Sequence, residues 1–477
     1  MLDILPRLHG ESAVPLYMQL YHHFREEIQA NRIAAGTKLP SVRRLSAHLQ
    51  ISKTTVEMAY HQLLAEGYVE SRDRSGFYVV EIEGGLSGDQ AVPPAAAVSR
   101  LPGAEKPVSY DFHMARIDAE HFPFAVWRRL SNQCIRPEAK ELLHYGDRQG
   151  EYGLRTQIAH YLRQSRGVRC TPEQVVIAAG TQIAILLICQ LLGMDGRAVA
   201  MEEPGYQDVR AVFAKLGFTM KPIPLEEDGL NIQALRESGA RVVYITPSHQ
   251  DPSGTVMPVA KRMKLLQWAD EVGGVILEDD YDSEFRYRGK PIPSLQGLDA
   301  RGSVIYLGTF SKALLPAIRV SYLVLPQALL ERYREQCCHF DQTVSRLHQK
   351  TLELFMQSGE WERHIRKMRV IYQKKHAALL QAVKAIFQDN VRVMGQDAGL
   401  SVMLEVQSEK SAEELEKIAE EAGIKVYSTT RKWMNRPQGL VPSFQLGFGG
   451  LSVEEIWRGI ERLHACWKPY LRENRRE

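Results

Sequence analysis

At 477 residues the chain is too long for one ordinary domain, and its 44% apolar content is enough for a large core, which excludes wholesale disorder. Sixty basic side chains against 57 acidic ones leave a formal charge of +3, so whole-chain charge points to no nucleic-acid partner by itself. Six cysteines without CxxC pairing or metal-ligand spacing read as reduced thiols, and no metal site is expected. No signal peptide opens the sequence. The most apolar stretch, residues 175–194, is interrupted by Gly180, Thr181 and Gln182, so a cytoplasmic protein with no membrane partner is expected.

Residues 15–80 are predicted to form three helices and a hairpin. Leu16, Leu20, Phe24 and Ile28 recur at helical spacing, and Gly36 and Pro40 then break the chain into turns. Ser41 is placed to cap a helix over 42–49. Ser52 is placed to cap another over 53–67, with Val56, Ala59, Tyr60, Leu63 and Leu64 inward. Residues 68–80 alternate as two strands around a turn at 73–76, a wing-like hairpin. Between 31 and 56 there is no Asp or Glu, while Arg32, Lys38, Arg43, Arg44 and Lys53 are all present. A helix-turn-helix sets the start of its second helix in the major groove. Lys53, Thr54 and Thr55 stand there, Arg43 and Arg44 are positioned for phosphates, and Gly76 lets main chain approach a groove. The DNA-binding domain is therefore drawn as 1–82. A Gly-, Ala-, Pro- and Ser-rich linker comes next over 83–107, and the second domain is drawn as 108–477.

From Tyr110 onward strands alternate with helices. Strands are predicted at 175–178, 198–201, 241–246, 275–277, 304–307 and 320–325, the pattern of a mostly parallel sheet covered on both faces. A long helical stretch lies beyond Pro326, then a smaller α+β part with elements at 400–405, 412–422 and 444–448. Three groups fall at carboxyl ends of strands, where open α/β sheets bind ligands. Ser311-Lys312 comes after one strand, with Arg319 seven residues on. Asp279 ends the strand over 274–278, with Tyr281 on its side. Gly180-Thr181-Gln182 joins an apolar strand to a helix, where backbone N–H groups and the helix dipole hold an anion. An amine, a facing carboxylate and an anion cradle are what pyridoxal 5′-phosphate demands.

Two resemblances reinforce these readings. Pro15-Leu16-Tyr17, Gly36-Thr37-Lys38-Leu39-Pro40-Ser41, Ser52-Lys53-Thr54-Thr55-Val56 and Ser75-Gly76-Phe77 resemble the GntR-type winged helix. That likeness implies operator contacts by Arg43, Lys53, Thr54, Thr55 and Gly76. Glu202-Glu203-Pro204-Gly205-Tyr206, Thr246-Pro247-Ser248-His249-Gln250, Pro252-Ser253-Gly254 and Gly308 to Lys312 through Arg319 resemble fold-type-I aminotransferases. This implies an internal aldimine on Lys312, Asp279 at the pyridine nitrogen, Tyr281 at O3′ and Tyr206 stacked on the ring. Thr181, Gln182, Ser311 and Arg319 would gather the phosphate. In this order the halves resemble the MocR/GabR subfamily of GntR regulators, with Glu278-Asp279-Asp280-Tyr281-Asp282-Ser283-Glu284-Phe285 as its acidic run. The subfamily has an arginine where this chain has Gln207, and an apolar residue where it has Asp251; Arg431 matches its remaining carboxylate-binding arginine.

The resemblance implies a head-to-tail homodimer on operator double-stranded DNA, in which a small amine effector displaces Lys312 by transaldimination with its carboxylate on Arg431. An amino acid such as γ-aminobutyrate, an amino-terminal dipeptide or pyridoxal phosphate itself would serve. Two alternatives stay open: an active aminotransferase with an accessory DNA-binding domain, and a DNA-binding protein whose second domain is only a dimerisation scaffold.

Overall fold

The computed structural model describes residues 8–9, 14–73, 75–81, 108–193, 198–288, 292–337 and 339–472; the linker expected at 83–107 lies outside them. The chain divides into two compact units, Met1–Glu105 and Lys106–Glu477.

In the first unit, helices Leu16–Gln29, Val42–Leu49 and Lys53–Ala65 precede a hairpin of Val69–Arg72 and Gly76–Val79. Ser41 Oγ accepts from Arg44 N–H and Ser52 Oγ from Thr55 N–H, so both expected caps close their helices. The third helix stops two residues short of the expected 67, because Gly67 turns to φ +76°. Leu20, Phe24, Ile28, Leu45, Val56, Ala59, Tyr60 and Leu63 form the core with Val69 and Val79 of the hairpin. Tyr60 Oη donates to Pro40 O at 2.9 Å, tying the third helix to the turn before the second.

The second unit is built on an eight-stranded mixed sheet. Its spatial order is Val175–Ala178, Ser321–Val324, Val304–Thr309, Val275–Asp280, Val242–Ile245, Ala198–Glu203, Thr219–Glu226, Gly229–Leu230. The run from Val304–Thr309 to Thr219–Glu226 is parallel, whereas Ser321–Val324 is antiparallel to both neighbours. Thr219–Glu226 carries Pro222 and Pro224, which keep it out of the strands expected from sequence. It is tolerated because its outer neighbour pairs only at Leu225 and Glu226, leaving the proline stretch at an edge. Helices cover both faces. Ile185, Ile188 and Phe213 pack on Met201, Leu277 and Leu323 on one side, and Leu265, Trp268 and Ala269 on Val243, Ile245 and Ile276 on the other. The helix Glu360–Phe387 leads to a four-stranded antiparallel sheet ordered Val391–Met394, Ser401–Val406, Ser443–Gly447, Tyr427–Ser428. Among the described residues no helix is long and apolar enough to cross a membrane.

A buried ion pair fixes this long helix. Lys375 Nζ donates to Asp118 Oδ2 at 2.6 Å and to Gly449 O at 2.9 Å. Burial pushes the Asp118 carboxyl up, but hydrogen bonds from Lys375 and His121 outweigh it and hold it below its ordinary value. Its stabilisation is therefore present above the unfolded value of about 4 and is lost as pH falls through the depressed folded value. Lys375→Met should destabilise the chain by ~3–5 kcal/mol near neutrality. In thermal unfolding of the full chain the deficit should shrink on acidification, and an unchanged melting temperature would remove the pair from the fold's determinants.

Candidate functional site

A cavity of about 560 Å3 opens at the carboxyl edge of the large sheet, closed on its far side by the small sheet and the loop at 427–432. Thr181, Gln182, Tyr206, Gln207, Asp279, Tyr281, Ser311, Lys312, Arg319 and Arg431 all line it. Every residue the sequence proposed for cofactor and ligand thus meets in one space.

The anion cradle comes from a turn. Gly180 takes φ +91° ahead of the 12-residue helix Thr181–Leu192, whose first N–H groups are unpaired by geometry. Arg319, itself at φ +52°, lays its guanidinium across this turn with Nη2 3.5 Å from Ala179 O. A Cβ on Gly180 would stand 2.0 Å from Arg319 Nη2, so a side chain there would push the guanidinium out of this position, and the φ of +91° favours glycine as well. Lys312 lies beyond the strand Val304–Thr309 and donates to Met114 O at 2.6 Å. Burial lowers its pKa; Asp282 and Asp251 pull the other way.

The acidic run divides by strand alternation. Val275–Asp280 runs two residues past its expected end, so Asp279 sits inside the strand rather than after it. Glu278 accepts from Leu295 N–H and Gln296 N–H at 2.7 and 2.8 Å. Asp280 accepts from Arg166 Nε at 2.7 Å and Tyr306 Oη at 2.5 Å. Asp282 faces His249 Nδ1 at 3.0 Å. Asp279 accepts only from Tyr244 Oη, at 2.5 Å, and no cation among the described residues pairs it. Burial, with Asp280, Asp282 and Asp251 nearby, pushes its carboxyl up to about 7. Tyr281 Oη donates to His249 O at 3.0 Å.

Several cavity residues lie beyond the reach of sequence patterns. Lys432 Nζ donates to both oxygens of Asp251, at 2.7 and 2.5 Å, and Gln445 Nε2 donates to the same carboxylate at 3.2 Å. Arg210 clamps the backbone that carries these cations, donating to Arg431 O at 2.7 Å and Lys432 O at 3.1 Å. Glu203 Oε1 accepts from Met434 N–H and Asn435 N–H. Asp251 stands out in the sequence only as a departure from the subfamily; its partner is 181 residues away and no local pattern announces it. Among the described residues no cluster of three His, Cys, Asp or Glu stands where it would hold a metal ion.

In the first unit Arg43, Lys53, Thr54 and Gly76 are exposed and Thr55 is half-buried, its hydroxyl 2.8 Å from Ser52 Oγ. Arg32, counted in the basic run, is tied to Glu27 at 2.8 Å. The remaining cations on the second and third helices are Arg43, Arg44 and Lys53, all solvent-facing.

Comparison with known proteins agrees with this division. Residues 16–79 match the family described as bacterial regulatory proteins, gntR family, and residues 115–461 match aminotransferase class I and II. The chain is 42% identical over 467 residues to YdeL of Bacillus subtilis, an HTH-type transcriptional regulator described as uncharacterized, spanning 98% of this chain and 100% of the relative. It is 33% identical to the probable rhizopine catabolism regulatory protein MocR of Rhizobium meliloti, over 96% and 95% of the two chains. The α-aminoadipate aminotransferase LysN of Thermus thermophilus, solved with N-(5′-phosphopyridoxyl)-L-leucine, superposes with a TM-score of 0.68. It is 28% identical and covers 75% of this chain and 92% of that one. A winged helix joined to a class I and II aminotransferase body defines a class of transcription regulators. Within it, this chain belongs to the MocR/GabR subfamily of GntR-type regulators.

The isolated charge of Asp279 has a measurable cost in the cofactor-free chain. Its folded pKa lies above the unfolded value of about 4, so stability falls as pH rises from there toward 7. Asp279→Asn should therefore raise the melting temperature of the cofactor-free chain, by more at about pH 8 than at about pH 5. Equal melting at both pH values would mean that Asp279 is compensated within the protein.

Proposed function

We propose that this regulator holds pyridoxal 5′-phosphate on Lys312 and senses a small amine there. The observation that carries the reading is the convergence of Lys312, Asp279 and Arg319 on one cavity. The residues fit the group. Gly180 leaves room for Arg319 at a helix N-terminus, which with Thr181, Gln182 and Ser311 suits a phosphate. Among the described residues no cation pairs the buried carboxylate of Asp279, and a protonated pyridine nitrogen would supply one.

When bound, the cofactor supplies an aldehyde carbon that condenses reversibly with primary amines. The chain's own residues do the rest. Burial favours the neutral amine of Lys312, the form that condenses. Asp279 would hold the proton of the ring nitrogen, Tyr281 would hydrogen-bond O3′, and Tyr206 would stack on the ring. Arg431 would receive the effector carboxylate with Gln207 beside it; an amino acid such as γ-aminobutyrate, an amino-terminal dipeptide or the cofactor itself are the candidates.

Operator DNA would be read by Arg43, Lys53, Thr54, Thr55 and Gly76, a task that would be carried out in the cytoplasm. Phe124, Leu143 and Tyr145 are 66, 83 and 93% exposed, an apolar set that supports pairing with a second copy in a head-to-tail homodimer. Two readers favour an operator of two spaced half-sites. A working aminotransferase with an accessory DNA-binding domain is the second reading, favoured by the intact Lys312 and Asp279. Sustained turnover with a keto-acid acceptor would establish it; a single-turnover spectral change would favour the sensor.

Purified full-length protein given cofactor should show the yellow band of a lysine-bound aldehyde, and Lys312→Ala should lack it. A colourless wild type, indifferent to added cofactor, sinks the reading. Arg431→Gln should weaken binding of a carboxylate-bearing effector by about 10- to 100-fold, from the ~1.5–3 kcal/mol of a charge-assisted hydrogen bond. Lys53→Ala should weaken operator binding and reduce the log–log salt slope by about 1, read by titrating DNA at several salt concentrations.

A further inference from the structure

One side chain that reaches Asp279 has no part yet in that function. Tyr244 does not line the cavity; it is 1% exposed, in the core cluster with Met201, Val209, Phe213 and Leu277. It stands opposite Leu277 on the parallel neighbouring strand, so Asp279, two residues on, lies diagonally across from it on the same sheet face. Its hydroxyl has one partner among the described residues, Asp279 Oδ2 at 2.5 Å. Burial and the Asp279 charge push the phenol well above its ordinary value, so it stays protonated and donates.

The two oxygens of Asp279 are thereby distinguished. Oδ2 takes the phenol. Oδ1 accepts no hydrogen bond among the described residues, yet it is not sealed off as Glu202 Oε1 and Asp280 Oδ1 are. The residue lines the cavity, and the oxygen it still has free is Oδ1. Other charged groups nearby do not replace the phenol. Asp280, Asp282 and Asp251 add negative charge, while the hydroxyls of Tyr206 and Tyr281 point to Asp208 and His249. Of the cavity's cations, Lys312 is bonded to Met114 O, Lys432 to Asp251 and Arg319 to Ala179 O.

We propose that Tyr244 is a positioning residue: its hydroxyl pins one oxygen of Asp279, leaves the other for the cofactor's ring nitrogen, and keeps the carboxylate charged so that the shared proton stays on the ring. The inference rests on the cofactor reading above. Without the phenol the carboxylate is a stronger base and draws that proton toward itself. In the cofactor-free chain the folded value, already about 7, would rise further above the unfolded value of about 4. The stability lost as pH rises between them would then grow.

Full-length Tyr244→Phe tests this with two readouts. In the cofactor-free chain its melting deficit against wild type should be at least about 1 °C larger at about pH 8 than at about pH 5. In an Asp279→Asn background the same substitution should cost equally at both, because the amide does not titrate. With the ring nitrogen of the cofactor isotope-labelled and read by NMR, the bound signal should move from the protonated toward the unprotonated position. A variant that folds only at the lower pH gives the first result in extreme form. An equal deficit at both pH values, an unmoved nitrogen signal, or failure to fold in both backgrounds overturns the proposal. A yellow wild type with an unmoved signal in the variant loses only this inference. If either protein takes up no cofactor, the melting comparison decides alone whether Tyr244 holds Asp279, and a colourless wild type also sinks the cofactor reading.

Discussion

The second unit depends on taking several carboxyl groups out of water at one edge of its sheet. A buried charge must be paired, hydrogen-bonded or neutralised. Strand alternation shares out the remedies along one short run. Glu278 is answered by two backbone N–H groups, Asp280 by Arg166 and Tyr306, and Asp282 by His249. Asp279 receives one tyrosine hydroxyl and faces the cavity. The imbalance at this position is what marks the space beside it as a place for a cation.

A second constraint holds the small sheet's loop over that space. The segment at 429–435 is stitched to the first turn of Gln207–Lys215 and to the strand before it, through Arg210, Glu203 and the Gly205 N–H that donates to Lys432 O. Most of these bonds are to backbone, so they position the loop and leave the side chains of Arg431 and Lys432 to the cavity. Lys432 is held by Asp251, on the loop beyond Val242–Ile245. A ligand that touches both sides shifts the balance between conformations only by the difference in its affinity for them. The cavity places groups for such a difference on both sides of the seam.

The range of each interaction decides how much of this was legible in the sequence. The caps at Ser41 and Ser52 are three-residue patterns, and both were visible. Lys312, Asp279 and Gly180 were visible because each sits at or just past the carboxyl end of a strand, and the sheet brings those ends together whatever lies between. The strand Thr219–Glu226 was hidden by Pro222 and Pro224, since a lone segment does not reveal that it lies at an edge. The reversed strand Ser321–Val324 has the same apolar look as the strands on either side of it, to both of which it runs antiparallel. Pairings across the seam were beyond reach: nothing near Lys432 specifies a carboxylate 181 residues earlier. Asp251 was legible only as an oddity, an acid where the subfamily resemblance calls for an apolar residue.

That oddity and the loss at position 207 belong to one charge argument. An arginine beside Arg431 would give this side of the cavity a second free cation, suited to a carboxylate alone. Here the neighbour on helix Gln207–Lys215 is a neutral amide, and the extra cation, Lys432, arrives already paired with Asp251. Among the described residues that line this side of the cavity, Arg431 is therefore left as the cation outside a close ion pair, with Glu416 as an electrostatic neighbour. The lining carries the Asp251 carboxylate where the resemblance gives an apolar residue. A ligand matched to this lining is less acidic and more hydrophilic than one matched to two free arginines, because each buried polar atom it leaves unpaired is a cost that an apolar wall would not impose.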